Sequence, residues 1–176
     1  MPIIDEEFLS KLVREPIVAD VSQEQEDAFS KIARLVSVRE RCSCELVARL
    51  MRDGLSEDIA RDAVSRALSC GLVDDLRYGE TLVRSRISQG KGRTGIEEEL
   101  ASCGISACDL EGWPDEFFPS DGPTEEQRAF DVLLRKPPRS KNVYASACRK
   151  LASRGFSRDV VFSVARRYAE HCDGVF

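Results

Sequence analysis

Apolar residues in this chain recur every three or four positions and never alternate over a run, the signature of helices with one buried face and not of a sheet. Ala28, Phe29, Ile32, Leu35 and Val36 form one stripe, Leu46 and Leu50 a second, and Ile59, Ala63, Ala67 and Leu68 a third. Glycine and proline stand between these stretches as punctuation. Three helix starts are marked by residue pairs able to form capping boxes, in which a hydroxyl accepts an early backbone N–H and the residue three on reaches back: Ser22 with Gln25, Thr94 with Glu97, and Thr124 with Gln127. The pattern predicts an all-α protein.

The helices repeat. Gly54, Gly104 and Gly155 are each preceded four residues earlier by leucine (Leu50, Leu100, Leu151). Each is followed by an apolar residue (Leu55, Ile105, Phe156) and then by serine (Ser56, Ser106, Ser157). This is one local design used three times: glycine where a helix ends in the left-handed conformation, an apolar residue packing back over the turn, and serine capping the next helix. The register extends upstream through Ala28, Tyr78 and Ala129 and through Ile32, Leu82 and Leu133, with a period of fifty and then fifty-one residues. The chain therefore divides into an N-terminal appendage, 1–23, and repeats 24–75, 76–123 and 124–176 of about three helices each. Units so small bury too little alone, which predicts stacking into an elongated array, its curvature left open, with a long face for binding. In the second repeat Gly112 and Pro114 shorten the third helix. Leu110, Trp113, Phe117 and Phe118 are expected to seal that core from irregular backbone and to mark a bend. In the appendage, Ile4, Phe8, Leu9, Leu12 and Val13 suit a short amphipathic helix before Pro16.

At 176 residues, 42% apolar and 32% charged, the chain has the composition of a folded globular protein. No apolar run exceeds three residues, so no membrane span or targeting segment is expected, and the default compartment is the cytoplasm. Seven cysteines without a CxxC pair, beside a single histidine, suit reduced, packed thiols better than disulfides or a metal site. The net charge of −5 conceals strong segregation: residues 1–27 carry eight acids and two bases, 109–126 seven acids and no base, and 127–168 eleven bases and two acids. A cationic block of that kind attracts phosphate or an acidic protein surface through a sequence-independent Coulomb term.

A second set of residues carries a family resemblance: Gly71-Leu72-Val73-Asp74-Asp75, Arg77-Tyr78, Leu82-Val83-Arg84-Ser85-Arg86, Gly90-Lys91-Gly92, and Ile96 with Glu99-Leu100 before Gly104-Ile105. The chain resembles RecX, the bacterial regulators of recombination, most specifically in the second repeat and in repeat architecture over about residues 24–170. The resemblance implies a protein without a catalytic site or cofactor that binds RecA recombinase filaments along their groove. It further implies blocked filament growth and damped ATP hydrolysis, strand exchange and coprotease activity.

The residues themselves point the same way. Asp74-Asp75 are adjacent acids of the kind that hold magnesium elsewhere. Following Gly71 and preceding a helix, they fit capping and compensation of the helix dipole better. Glu97, Glu98 and Glu99 fall in a first helical turn, where negative charge is favoured, and His171 has no evident partner. No nucleophile, base and orienting group recur at a recognisable spacing, and no phosphate-cradling loop is present, so an enzyme is the weakest reading. Candidate partner-binding residues are basic. Arg84, Arg86, Lys91 and Arg93 bracket Gly90-Lys91-Gly92, a loop that either docks a phosphate or carboxylate on its backbone N–H groups or simply ends a helix; the resemblance favours contact. In the third repeat Arg135, Lys136, Arg139 and Lys141 surround Pro137-Pro138, and Arg149, Lys150 and Arg154 follow. The alternative is a stand-alone DNA-binding protein, touching single- or double-stranded DNA directly through units like helix-turn-helix modules. Against it, the helices after the glycines begin Ser56-Glu57-Asp58 and Ser106-Ala107-Cys108, only Ser157-Arg158-Asp159 offers a base, and acids at that edge repel phosphate. A monomer without membrane contact is expected.

Overall fold

The computed structural model describes residues 17–173 and the side chains of 23–172. The secondary structure among them is helical. Helices α1 (Ile17–Val38), α2 (Ser43–Arg52) and α3 (Glu57–Ser69) belong to a first compact unit that ends at Asp74. Helices α4 (Asp75–Ser88), α5 (Arg93–Ser102), α6 (Glu125–Arg135), α7 (Val143–Ala152) and α8 (Arg158–Asp173) make a second, with a 3-10 turn at Ala107–Asp109.

In the first unit Ala28 and Ile32 of α1 meet Leu46 and Leu50 of α2 and Ala60, Ala63, Val64 and Ala67 of α3. The α3 stripe differs from the sequence expectation by a rotation of its face: Ala60 and Val64 are buried, whereas Leu68 is 39% exposed and Ile59 only partly covered. Three alanines facing inward let the neighbouring helices approach closely, so packing, not hydrophobicity alone, selects the face. The third repeat has the same plan, with Ala129 and Leu133 of α6, Ala147 and Leu151 of α7, and Val161, Val164, Ala165 and Tyr168 of α8 in one core with Phe156.

The repeated turn is present three times. Gly54, Gly104 and Gly155 have φ of +97°, +76° and +74°. The amides of Leu55, Ile105 and Phe156 donate back to Leu50, Leu100 and Leu151 at 3.2, 3.0 and 3.3 Å. This is the six-to-one bond of a left-handed helix cap, and it explains why leucine, glycine and an apolar residue keep fixed spacing. Ser56 and Ser157 accept from the amides of Ile59 and Val160, capping α3 and α8. Ser106 makes no such bond, and the element after it stops at three residues.

One of the three predicted capping boxes forms: Thr124 Oγ1 accepts from the Gln127 amide at 3.2 Å while the Gln127 side chain accepts from the Thr124 amide at 2.8 Å. Ser22 instead lies inside α1, so that helix begins in what was assigned to the appendage; Val18, Val21, Ala28 and Ile32 keep helical spacing across the serine. Thr94 lies inside α5, whose N-cap is Gly92. The expected helix at Ile4 to Val13 lies outside the described residues.

Candidate functional site

The second repeat replaces its third helix with aromatic side chains. Leu110 and Phe117 are buried, and Trp113 packs against Phe117 and Phe118 with ring centroids 5.7 and 5.6 Å apart. Three arginines from three helices lie over these rings: Arg84 of α4 over Phe117 at 5.0 Å, Arg93 of α5 over Trp113 at 5.3 Å, and Arg128 of α6 over Phe118 at 4.9 Å. Cation–π attraction thus holds irregular backbone where a helix would otherwise close the core.

The Gly90-Lys91-Gly92 loop is structural, and its backbone forms no anion cradle. Gly90 has φ +73° and ends α4, its amide donating to the Ile87 carbonyl at 2.9 Å and the Lys91 amide to the Arg86 carbonyl at 3.0 Å. The Gly92 and Gly95 amides donate to the carbonyls of Arg154 and Gly155 at 2.9 and 2.8 Å, tying α5 to the turn between α7 and α8. The approach is close enough that a Cβ on Gly95 would come within 2.7 Å of Gly155 Cα. The N–H groups of Gly90, Lys91 and Gly92 are all spent on backbone carbonyls.

The basic side chains around that loop are equally engaged. Arg86 holds Glu99 through three hydrogen bonds of 2.6 to 3.0 Å, and Lys91 Nζ lies 2.6 Å from the same carboxylate. The guanidinium of Arg86 draws the Glu99 carboxyl down to about 2 despite partial burial, with Lys91 adding to the effect. Arg93 pairs with Glu97 at 2.9 Å, and Arg84 stands 3.7 Å from Glu80. Glu97 and Glu99 therefore serve as partners for Arg93 of α5, Arg86 of α4 and Lys91 of the loop.

The third repeat is different. Among the described residues, no lysine or arginine from Arg128 onward has a carboxylate within ion-pair distance, whereas Lys31, Arg39, Arg41, Arg49, Arg61, Arg84, Arg86, Lys91 and Arg93 all do. Arg135, Lys136, Arg139, Lys141 and Arg149 are exposed. Lys150 donates to the Lys136 carbonyl and pins the α6–α7 connection, and Arg154 donates to the Gln89 carbonyl at the end of α4. Burial, helped by Arg154 and Lys136, pushes the Lys150 ammonium below its ordinary value. Two further exposed cations on α8 have no carboxylate within ion-pair distance among the described residues: Arg158, which the sequence offers only as a base at a helix start, and Arg166, which sequence reasoning passed over and which the scarcity of acids after residue 127 would have flagged. His171 is exposed, its ring edge-on to Phe130.

Among the described residues no cluster of histidine, cysteine and carboxylate suits a metal, all seven cysteines are free thiols, and no helix is long and apolar enough to cross a membrane. The fold is that of a tandem three-helix-repeat protein. The sequence profile of the second three-helix domain of RecX matches residues 74–111. A regulatory protein RecX of Mycolicibacterium vanbaalenii is 31% identical over 163 residues, covering 85% of this chain and 87% of the relative. That of Pseudomonas putida strain GB-1 is 30% identical over 131 residues, covering 72% of this chain and 81% of the relative. The chain belongs to the RecX family of regulatory proteins. Its fold matches the crystal structure of a regulatory protein RecX with a TM-score of 0.61 at 20% identity, covering 93% of this chain and 78% of that one. It also matches RecX from Lactobacillus salivarius with a TM-score of 0.57 at 18% identity, covering 83% and 97%.

Proposed function

We propose that this chain is a non-catalytic regulator that binds RecA recombinase filaments on DNA and inhibits their ATP hydrolysis, strand exchange and coprotease action. In this reading it works as a cytoplasmic monomer in homologous recombination and the SOS response. The observation that carries the reading is the row of uncompensated cations in the third repeat. Exposed charges left without partners raise the energy of the isolated protein little, yet they attract a polyanionic assembly strongly and at long range. Arg135, Lys136, Arg139, Lys141 and Arg149 are the contact residues of this reading. Arg84, Arg86, Lys91 and Arg93 act mainly by holding the second repeat in shape, and Lys150 and Arg154 by holding the segments beside the contact.

Co-sedimentation with RecA, with and without single-stranded DNA, tests it. The chain should pellet with the filament and bind naked DNA far more weakly. Equal binding to DNA alone and to filament would instead favour the stand-alone DNA-binding reading, and no pelleting in either case would refute both.

A further inference from the structure

In each of the two repeats that keep all three helices, a crevice opens between the second and third. In the first repeat it lies between α2 and α3, measures about 480 Å³ and is floored by Val47, Met51, Val64 and Leu68. In the third it lies between α7 and α8 with one wall from α5, measures about 380 Å³ and is floored by Cys148, Ala152, Phe156, Val161 and Phe162. With Gly54 aligned on Gly155, Val47, Ala48, Met51 and Arg61 correspond to Cys148, Arg149, Ala152 and Phe162, so the two crevices overlap in part, the first extending toward Val64 and Leu68 and the third toward Phe156 and Val161. The second repeat, without a third helix, has no counterpart of α3 or α8 to form one. Each crevice leaves large apolar side chains open to water: Met51 is 43% exposed, Leu68 39% and Phe162 47%. The open side chains are not at equivalent positions: Phe162 stands where the first repeat has Arg61, so the large exposed apolar group of the third crevice is particular to that repeat.

The rims differ. In the first repeat Arg61 is neutralised by Glu57 at 2.7 Å. In the third, Arg149 and Arg158 line the crevice and have no carboxylate among the described residues, with Glu98 also at the edge. We propose that the α7–α8 crevice receives a short acidic peptide segment of a protein partner, one bulky apolar side chain entering between Ala152 and Phe162 while neighbouring carboxylates meet Arg149 and Arg158. The charge complement selects an acidic segment. Glu98 suits a peptide, which brings backbone N–H donors as well as acids, and opposes a phosphate backbone.

The proposal deepens the reading above, in which the third repeat meets an acidic partner, and rests on it. The probe is a short fluorescein-labelled peptide with leucine at two positions four apart and glutamate around them, titrated with the full chain and followed by anisotropy. Binding should be saturable and weakened by salt. It should fall at least ten-fold when the leucines of the peptide become serine, in Ala152→Trp, which fills the crevice from an exposed position, and in Arg149→Glu/Arg158→Glu. Circular dichroism confirms that each variant is folded, and Phe162→Ala supplies a second, cavity-enlarging variant in which binding should also weaken. No binding by the wild-type chain, or undiminished binding by folded Ala152→Trp, overturns the proposal. Binding of labelled oligothymidylate that these variants abolish, with no binding of the peptide, overturns it in favour of nucleic acid. Filament co-sedimentation of the same variants separates the two readings: a chain that pellets with RecA but ignores the peptide refutes the crevice alone, and one that binds the peptide but not the filament refutes the recombinase as partner.

Discussion

Gly54 and Gly155 occupy the same place in the repeat and both have left-handed backbone, so the repeat alone predicts equal cost for replacing either by alanine. The structure predicts otherwise. A Cβ on Gly54 meets nothing within 4 Å, so Gly54→Ala should cost about 1–2 kcal/mol, the strain of a side chain at positive φ. A Cβ on Gly155 would fall 2.3 Å from Gly95 Cα and 2.7 Å from Gly95 N, a collision with backbone that no rotamer relieves. Separating the two segments weakens the hydrogen bonds from the Gly92 and Gly95 amides to Arg154 and Gly155. Added to the same strain of about 1–2 kcal/mol, overpacking of about 1–3 kcal/mol and two weakened bonds of about 1 kcal/mol each bring Gly155→Ala to roughly 4–7 kcal/mol, several times the cost at Gly54. Urea denaturation of each variant, with amide hydrogen exchange, measures this. Gly155→Ala should shift the transition of the second unit and release the Gly92 and Gly95 amides to exchange, whereas Gly54→Ala should leave those amides protected. Equal destabilisation, or persistent protection of Gly92 and Gly95 in Gly155→Ala, would refute the reasoning.

Other outcomes follow from the charges. Glu99 is ionised more readily in the folded chain than in the unfolded one, so its contribution to stability is full above its usual 4.5 and is lost as pH falls toward about 2. Glu99→Gln should therefore flatten the acid limb of a stability–pH curve measured by urea melts between those values. Arg86→Ala should lower the urea midpoint by an amount equivalent to about 1–3 kcal/mol, because it leaves Glu99 with Lys91 alone; an unchanged midpoint would show the Arg86 bonds to be dispensable. Trp113 is the only tryptophan, so Arg93→Ala should change its emission spectrum by removing the guanidinium above the ring, while emission identical to wild type would remove that contact from the account. Reversing Arg135, Lys136, Arg139 and Lys141 to glutamate should weaken filament binding and flatten its salt dependence far more than reversing Arg49, Arg52, Arg61 and Arg66. Equal losses would reduce the third repeat to general attraction.

The helical class and the repeated turn are legible in the sequence because both rest on local rules: apolar spacing for helices, and glycine for positive φ at Gly54, Gly104 and Gly155. The helix starts are less legible. Ser22 and Thr94 have the right neighbours for capping, but local pattern does not say whether a helix is already under way, and α1 runs through Ser22 while Gly92 caps α5. The face of α3 depends on how closely α1 and α2 approach, information carried by partners distant in the chain. The same holds for the basic residues. Arg86 and Arg135 look alike in a charge count, and only the fold brings Glu99 to Arg86 and leaves Arg135 without a carboxylate. The packing of Gly92 and Gly95 on Gly155 joins segments about sixty residues apart, and without it the Gly90-Lys91-Gly92 loop reads equally well as an anion site.

The central claim, regulation by stoichiometric binding without chemistry, is tested most directly by titrating the chain into RecA on single-stranded DNA while following ATP hydrolysis. Hydrolysis should fall and level off at an amount of chain set by the amount of filament, with nucleotide and DNA otherwise intact. Hydrolysis unchanged at saturating chain, or abolished by a trace of it through consumption of nucleotide or DNA, would contradict the account.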